Sequence, residues 1–270
     1  MVVQHNMQAV NTNRMLGQNV KAVSKSSEKL SSGYKVNRAA DDAAGLSISE
    51  KMRNQIRGLN QAVKNSEDGI SLIQTAEGNM NEIHSILQRM GELAIKSRND
   101  VNATEDRATI QDEVAQLKQE ITSITNKAEF NGSKLLSGGF SGKLLQVGAN
   151  VGETMSISIS GTSLKTLGIS GTTVSTGAKA SAAISQIQAA IKNVSAQRSK
   201  LGAIQNRLEY TINNLENYSE NLTSAESNIR DTDMATEMVN YSKSNILQQA
   251  AQSMLAQANQ SNQGVLSLLQ

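Results

Sequence analysis

"MRNQIRGLNQAVKNSEDGISLIQTAEGNMNEIHSILQRMGELA", Met52 to Ala94, has no proline and carries apolar or small residues at alternating steps of four and three. Met52, Ile56, Leu59, Val63, Ser66, Ile70 and Ile73 form one run; Met80, Ile83, Leu87, Met90 and Ala94 form the next. This is the heptad signature of a helix that packs along a narrow seam. Between the runs, Ile70, Ile73 and Ala76 are two threes in a row, which predicts local overwinding. A helix over about 46–98 would be about 75–80 Å long. Such a helix is a rod, and it needs partner helices along its length.

Four other segments supply them. Leu16, Val20, Val23 and Leu30 keep a 4-3-7 spacing. Ile110, Val114, Leu117, Ile121, Ile124 and Ala128 form a clean heptad stripe, and a further helix is predicted from about 180 to 229. Leu247, Ala251, Met254, Ala258, Ser261, Val265 and Leu268 carry the alternation to the last residues. The polar stretch Asn99–Asp106 reads as the turn that folds the third segment back on the second. Residues 132–178 differ, holding ten of the 19 glycines. "KLLQVGAN" and "ETMSISISG" read as short strands, with Met155, Ile157 and Ile159 on one face. The fold class is therefore mainly α: a long antiparallel helical coiled-coil bundle with a small β-hairpin element at one end and paired terminal helices.

Composition points the same way. Average usage would put roughly a dozen prolines in 270 residues, but there are none, as long helices require. Only six aromatics are present, fewer than a compact enzyme core of this size would bury. Without cysteine there is no disulfide, thiolate nucleophile or Cys-based metal site. A net charge of +2 is too balanced for a binder that neutralises nucleic-acid phosphates. No run is long enough for a membrane span. Met1 to Val20 has no apolar h-region, so no cleaved signal peptide is expected.

The two ends stand apart. No acidic residue precedes Glu28, and Lys243 is the only charged side chain after Glu237. Eleven of the last 31 residues are Asn or Gln. Terminal helices with thin apolar stripes and few charges are expected to order only against each other and against other copies.

Catalytic motifs are lacking. Asp41 and Asp42 are adjacent carboxylates, but neighbours on a helix do not face each other, and a place at the positive end of the long helix explains them better. His5 and His84 have no ligand-spaced partner. Gly138, Gly139 and Gly142 open no helix and form no phosphate loop. No catalytic, cofactor or metal site is read. Gly91, inside "LQRMGELAIKS", marks either close helix approach, a tolerated defect or a recognition surface.

Both ends of the chain resemble bacterial flagellin. "LSSGYKVNRAADDAAGLSISEKMRNQIRGLNQAVKNSEDGISLIQTAEG" is similar to the family's N-terminal signature, through Ser31-Ser32-Gly33, Val36-Asn37 and Asp41 to Leu46. "NIRDTDMATEMVNYSKSNILQQAAQSMLAQANQSNQGVLSLLQ" is similar to the C-terminal one, and "EFNGSKLL" to the link from helix to β region. The resemblance implies an inner domain D0 (1–45 and 230–270) and a rod domain D1 (46–229, with its β region at about 130–178), without D2 or D3. It implies a spoke at 35–45, with Asn37, Asp41, Asp42 and Gly45 in the joint. It also implies a polymerisation core of Leu16, Val20, Val23, Leu247, Ala251, Met254, Val265 and Leu268.

The implied function is self-assembly into the extracellular filament of the bacterial flagellum, after export by flagellar type III secretion. Implied partners are an export chaperone, the filament cap protein, hook-filament junction proteins and the host receptor TLR5. Receptor contact falls to Arg89, Glu92, Leu93 and Glu113. Gly91 departs from the pattern, standing where many members carry a second arginine; Leu117 departs from it too. Asn262 stands where a proline is common. The alternative is a hook-filament junction protein, which shares the terminal design.

Overall fold

The computed structural model describes residues 6–267, with side chains as far as Ser261. In chain order it has α1 (Met7–Ser32), α2 (Ala43–Arg98), α3 (Thr104–Lys127), β1 (Glu129–Phe130), β2 (Ser133–Lys134), β3 (Lys143–Gln146), β4 (Thr154–Ile157), α4 (Gly177–Arg230) and α5 (Met234–Ser267). The strands form two antiparallel pairs, β1 with β2 and β3 with β4. The chain divides into two compact units, Met1–Asn54 with Asn221–Gln270, and Gln55–Glu220.

The middle unit is organised by α2. Its buried seam runs through Leu59, Ala62, Ser66, Gly69, Ile73, Ala76, Met80, Ile83, Leu87, Met90, Ala94 and Ser97, and Leu93 is buried beside it. The steps along that seam alternate between three and four, so the two threes in a row at Ile70, Ile73 and Ala76 are not a break in the buried line. The seam passes through Ala62 and Gly69, while the bulkier Val63 and Ile70 sit half-buried beside it. Close approach explains the small residues. A methyl group on Gly69 would lie 2.6 Å from Leu145 Cδ2 of the hairpin, and one on Gly58 would lie 2.9 Å from Ala149 Cβ.

Two helices complete the seam. From α3 come Ile110, Val114 and Ile121, with Leu117 and Ile124 half-buried against the core. From α4 come Ala180, Ala183, Ile187, Ala190, Val194, Gln197 and Leu201, again at alternating steps of three and four. The turn between α2 and α3 is set locally. Asp106 accepts a hydrogen bond from the Ala103 N–H at 3.1 Å. Acidic Glu105 and Asp106 open α3 and Lys127 closes it, which suits the helix dipole at both ends.

The β3–β4 hairpin lies along the flank of α2 rather than at an end of it. Asn65 Nδ2 donates to the Gln146 carbonyl at 3.1 Å. The strands are shorter than the sequence pattern suggested, because Gly152 (φ +95°) and the Glu153 carboxylate shape the turn. From Ser158 the chain returns as a strap over all three helices. Gln197 reaches the Ser158 carbonyl, Gln111 accepts from Val174 N–H at 2.6 Å, and the Ser97 hydroxyl donates to the Val174 carbonyl. Lys118 donates to the carbonyls of Ser170 and Thr172. Burial pulls the Lys118 ammonium below its ordinary pKa. The strap's own core residues are Ile159, Leu167, Ile169 and Val174.

The terminal unit pairs α1 with α5 antiparallel. Asn6 Nδ2 donates to the Ala258 carbonyl (3.0 Å), Asn19 Nδ2 to the Leu247 carbonyl (3.3 Å), and Lys29 meets Glu237 at 3.6 Å. Asn6 also caps α1, its side-chain oxygen accepting from Ala9 N–H, and Gly33 (φ +76°) closes the helix.

Two glycines give opposite expectations. A methyl on Gly91 would meet only Ile187 Cγ2, at 3.8 Å, so close helix approach does not require this glycine. Gly91→Ala should stabilise the protein by about 0.5–1 kcal/mol through helix propensity. A methyl on Gly161 would lie 2.8 Å from the Gly138 Cα and 2.9 Å from its backbone nitrogen. Gly161→Ala should destabilise by about 1–3 kcal/mol. Urea denaturation of both variants checks the pair of signs.

Candidate functional site

The stretch Gly33–Gly45 is held within the terminal unit by a network of its own. Tyr34 and Asp231 form an isolated antiparallel bridge. Lys35 N–H donates to the Arg230 carbonyl and Thr232 N–H to the Gly33 carbonyl, so the two passes of the chain are zipped together. Arg230 sits at the centre. Its guanidinium lies 4.4 Å from the Tyr34 ring centroid, and Nη1 reaches Glu50 at 3.2 Å and Glu226 at 3.9 Å. A cation stacked on a ring and shared by two carboxylates fixes the direction in which the chain leaves each helix. The sequence signal for this hub was faint: a lone Tyr, and an Arg known only as part of a longer signature.

The expected joint residues fall around it. Asp42 precedes α2 and accepts from Gly45 N–H at 2.9 Å. Gly45 is buried beneath it, since a methyl there would lie 2.5 Å from Asp42 Oδ2. Asp41 turns the other way and pairs with Lys25 at 2.9 Å while accepting from Arg38 N–H. The hydrogen bond from Lys25 and that from Arg38 hold the Asp41 carboxyl below its ordinary pKa. Asn37 donates to Ser32 Oγ at 2.8 Å. The two aspartates thus have separate structural partners.

The α1–α5 pair uses a single seam: Ala9, Thr12, Leu16, Asn19, Val23, Ser26 and Leu30 face Tyr241, Ser244, Gln248, Ala251, Leu255 and Ala258. Of the expected polymerisation residues, Leu16, Val23 and Ala251 lie on it. Val20, Leu247 and Met254 do not; they are exposed beside it. Leu268 and the side chain of Val265 lie outside the described residues. Val239 and Ile246, one heptad apart and two residues off seam positions, are exposed on the face of α5 turned away from α1. They help line a shallow groove of about 510 Å³ with Met238, Ser242, Lys243 and Leu247.

In the middle unit, Arg89 bonds Glu113 through Nε at 3.0 Å and Nη2 at 2.9 Å, and Glu92 through Nη1 at 3.2 Å. These pairs raise the Arg89 pKa further and tie α2 to α3. Leu93, expected beside them at the receptor contact, lies inward. It is 3% exposed and belongs to the core, so its side chain holds the helix rather than presenting a surface. Leu117 likewise packs on the core. His84 lies half-buried with Nε2 at 3.1 Å from Gln88 Nε2, and His5 lies outside the described residues. Among the described residues no group of three or more His, Cys, Asp or Glu is placed to hold a metal. No described helix is long and apolar enough to cross a membrane.

Two caps can be tested. Asp42→Ala removes the acceptor of the Gly45 N–H and should cost about 1 kcal/mol in urea denaturation. At α5, Thr236 N–H and hydroxyl and Ala235 N–H hold the Asp233 carboxyl below its ordinary pKa. A carboxyl depressed in the folded state stabilises fully above its unfolded pKa, and the gain fades as pH falls through the folded value. The Tm advantage of the parent over Asp233→Ala should be constant near neutrality and shrink below about pH 4.

Comparison with known proteins places this geometry. Residues 3–141 match the bacterial flagellin N-terminal helical region, and residues 184–269 match the bacterial flagellin C-terminal helical region. Flagellin from Halalkalibacterium halodurans is 52% identical, and flagellin from Bacillus subtilis 48%, each alignment covering the whole of both chains. A flagellar filament 30.7 kDa core protein from Treponema maltophilum is 46% identical over the same full extent. The crystal structure of Bacillus cereus flagellin aligns with a TM-score of 0.52 at 30% identity, covering 56% of this chain and 88% of that one. With two family regions and full-length relatives in agreement, the chain belongs to the bacterial flagellins.

Proposed function

We propose that this flagellin polymerises through the faces of α1 and α5 that their mutual seam leaves open. A filament subunit is a structural protein, and the family assignment makes this chain one. The observation that carries the finer reading is the distribution of apolar side chains on α5. Val239 and Ile246 point away from α1, Leu247 and Met254 flank the seam on one side, and Met234 and Met238 add further apolar surface. A helix that is apolar on several sides belongs in the interior of something larger. With Lys243 as the only charge after Glu237, neighbouring copies would bury little charge on contact. Contacts of this kind that do not close a ring build an open helical filament.

The same reading takes residues 1–45 and 230–270 as the inner domain D0, ordered on assembly, and 46–229 as the rod domain D1. The stretch 137–178 serves D1 as its hairpin and strap, leaving no D2 or D3 between the two halves. Export through the flagellar type III apparatus without a cleaved signal, and contacts with the export chaperone, filament cap and junction proteins, follow from family membership. For TLR5, the exposed Arg89–Glu92–Glu113 cluster is the proposed contact, with Leu93 acting from beneath. The hook-filament junction alternative gains little. A chain from Vibrio parahaemolyticus assigned as a flagellar hook-associated protein shares the fold (TM-score 0.60) at only 14% identity.

Val239→Lys with Ile246→Lys tests the polymer face, because neither side chain touches the α1–α5 seam. The double variant should keep the parent's far-UV circular dichroism yet fail to elongate filament seeds under electron microscopy. Growth equal to the parent would refute the proposed face.

A further inference from the structure

The ten methionines fall into two populations. Met80 and Met90 are fully buried in the α2 seam, and Met155 is 8% exposed under the hairpin. Five others lie on the terminal helices and are open: Met7 (69%), Met15 (46%), Met234 (47%), Met238 (51%) and Met254 (56%). Met238 also lines the groove on α5. Of the remaining two, Met52 is half-buried and Met1 lies outside the described residues. Thioether reactivity toward oxidants follows exposure.

We propose that these five methionines are an oxidation site that makes the free subunit incompetent for assembly, a reading that rests on the polymer faces described above. The oxidant is a peroxide. One oxygen atom passes to each sulfur, the thioether is oxidised to the sulfoxide, and hydrogen peroxide is reduced to water. A sulfoxide is polar and carries a strong acceptor. On α1 and α5 it would have to be desolvated against a neighbouring copy, at positions where the parent carries a flexible, apolar thioether beside groups such as Val239, Ile246 and Leu247. In the assembled filament the same sulfurs are covered, so damage falls on subunits before incorporation. The lesion is reversible, since reductases exist for both sulfoxide epimers.

The test uses the full chain, treated with limiting hydrogen peroxide, freed of it, and mapped by peptide mass spectrometry. Met7, Met15, Met234, Met238 and Met254 should each gain one oxygen well before Met80 and Met90. The oxidised chain should lose seeded elongation and regain it after treatment with both classes of methionine sulfoxide reductase. Preformed filaments given the same dose should stay unmodified at the five positions. An untreated chain runs alongside: if it fails to elongate, the polymer reading itself fails, and oxidation is not at issue. Elongation undiminished with all five positions oxidised would overturn the proposal. So would loss of elongation that the reductases do not reverse. A variant with all five replaced by leucine should elongate before and after peroxide, and peroxide sensitivity in it would locate the effect elsewhere. The repair arm on the parent decides the matter even if that variant assembles poorly.

Discussion

A helix that is apolar on several sides and paired on only one leaves apolar surface in water wherever the pairing stops. That constraint governs the terminal unit. The seam between α1 and α5 is narrow and largely made of small or polar groups, with Ala9, Thr12, Asn19 and Ser26 facing Ser244, Gln248, Ala251 and Ala258. Such a seam sets register more than it stabilises. Its two amide contacts, Asn6 to Ala258 and Asn19 to Leu247, are directional and fix how the helices slide past one another. Beyond the Leu16, Val23, Leu30 and Leu255 that the seam does hold, further large apolar side chains, among them Val239, Ile246, Leu247 and Met254, lie exposed off it.

The middle unit solves the opposite problem. Its seam on α2 is complete, because α3, α4, the hairpin and the strap each contribute a wall. Gly58 and Gly69 let the hairpin come close, and polar anchors tie the strap to the helices. Lys118 is instructive. It extends from α3 and its ammonium serves two carbonyls of the strap, so a charge is used as a fastener at the cost of partial desolvation.

Most of this architecture was legible in the sequence. Heptad spacing located all five helices, and the clustering of glycine located the hairpin and strap. Where the buried line within the chain departs from that spacing, one cause serves. On α2 the pattern of large side chains passed through Val63 and Ile70, whereas the buried line passes through Ala62 and Gly69. On α5 it passed through Leu247 and Met254, whereas the line facing α1 passes through Gln248 and Leu255. Periodicity read from hydrophobicity finds where apolar mass lies, but a close seam selects for size. On a helix destined for several neighbours, the apolar mass belongs mostly to the others. Arg230 was missed for a different reason. Its partners Tyr34 and Glu50 lie far away in sequence, and only the fold brings them together.

The pairing of Asn6 with Ala258 spans 252 positions of the chain. During synthesis α1 is therefore made first and waits for nearly the whole polypeptide before its mate exists. A prematurely terminated chain lacks α5 and cannot complete the pair or the Tyr34–Asp231 bridge beside it. Because the two halves of the pair lie so far apart in sequence, its closure reports that everything between them has been made.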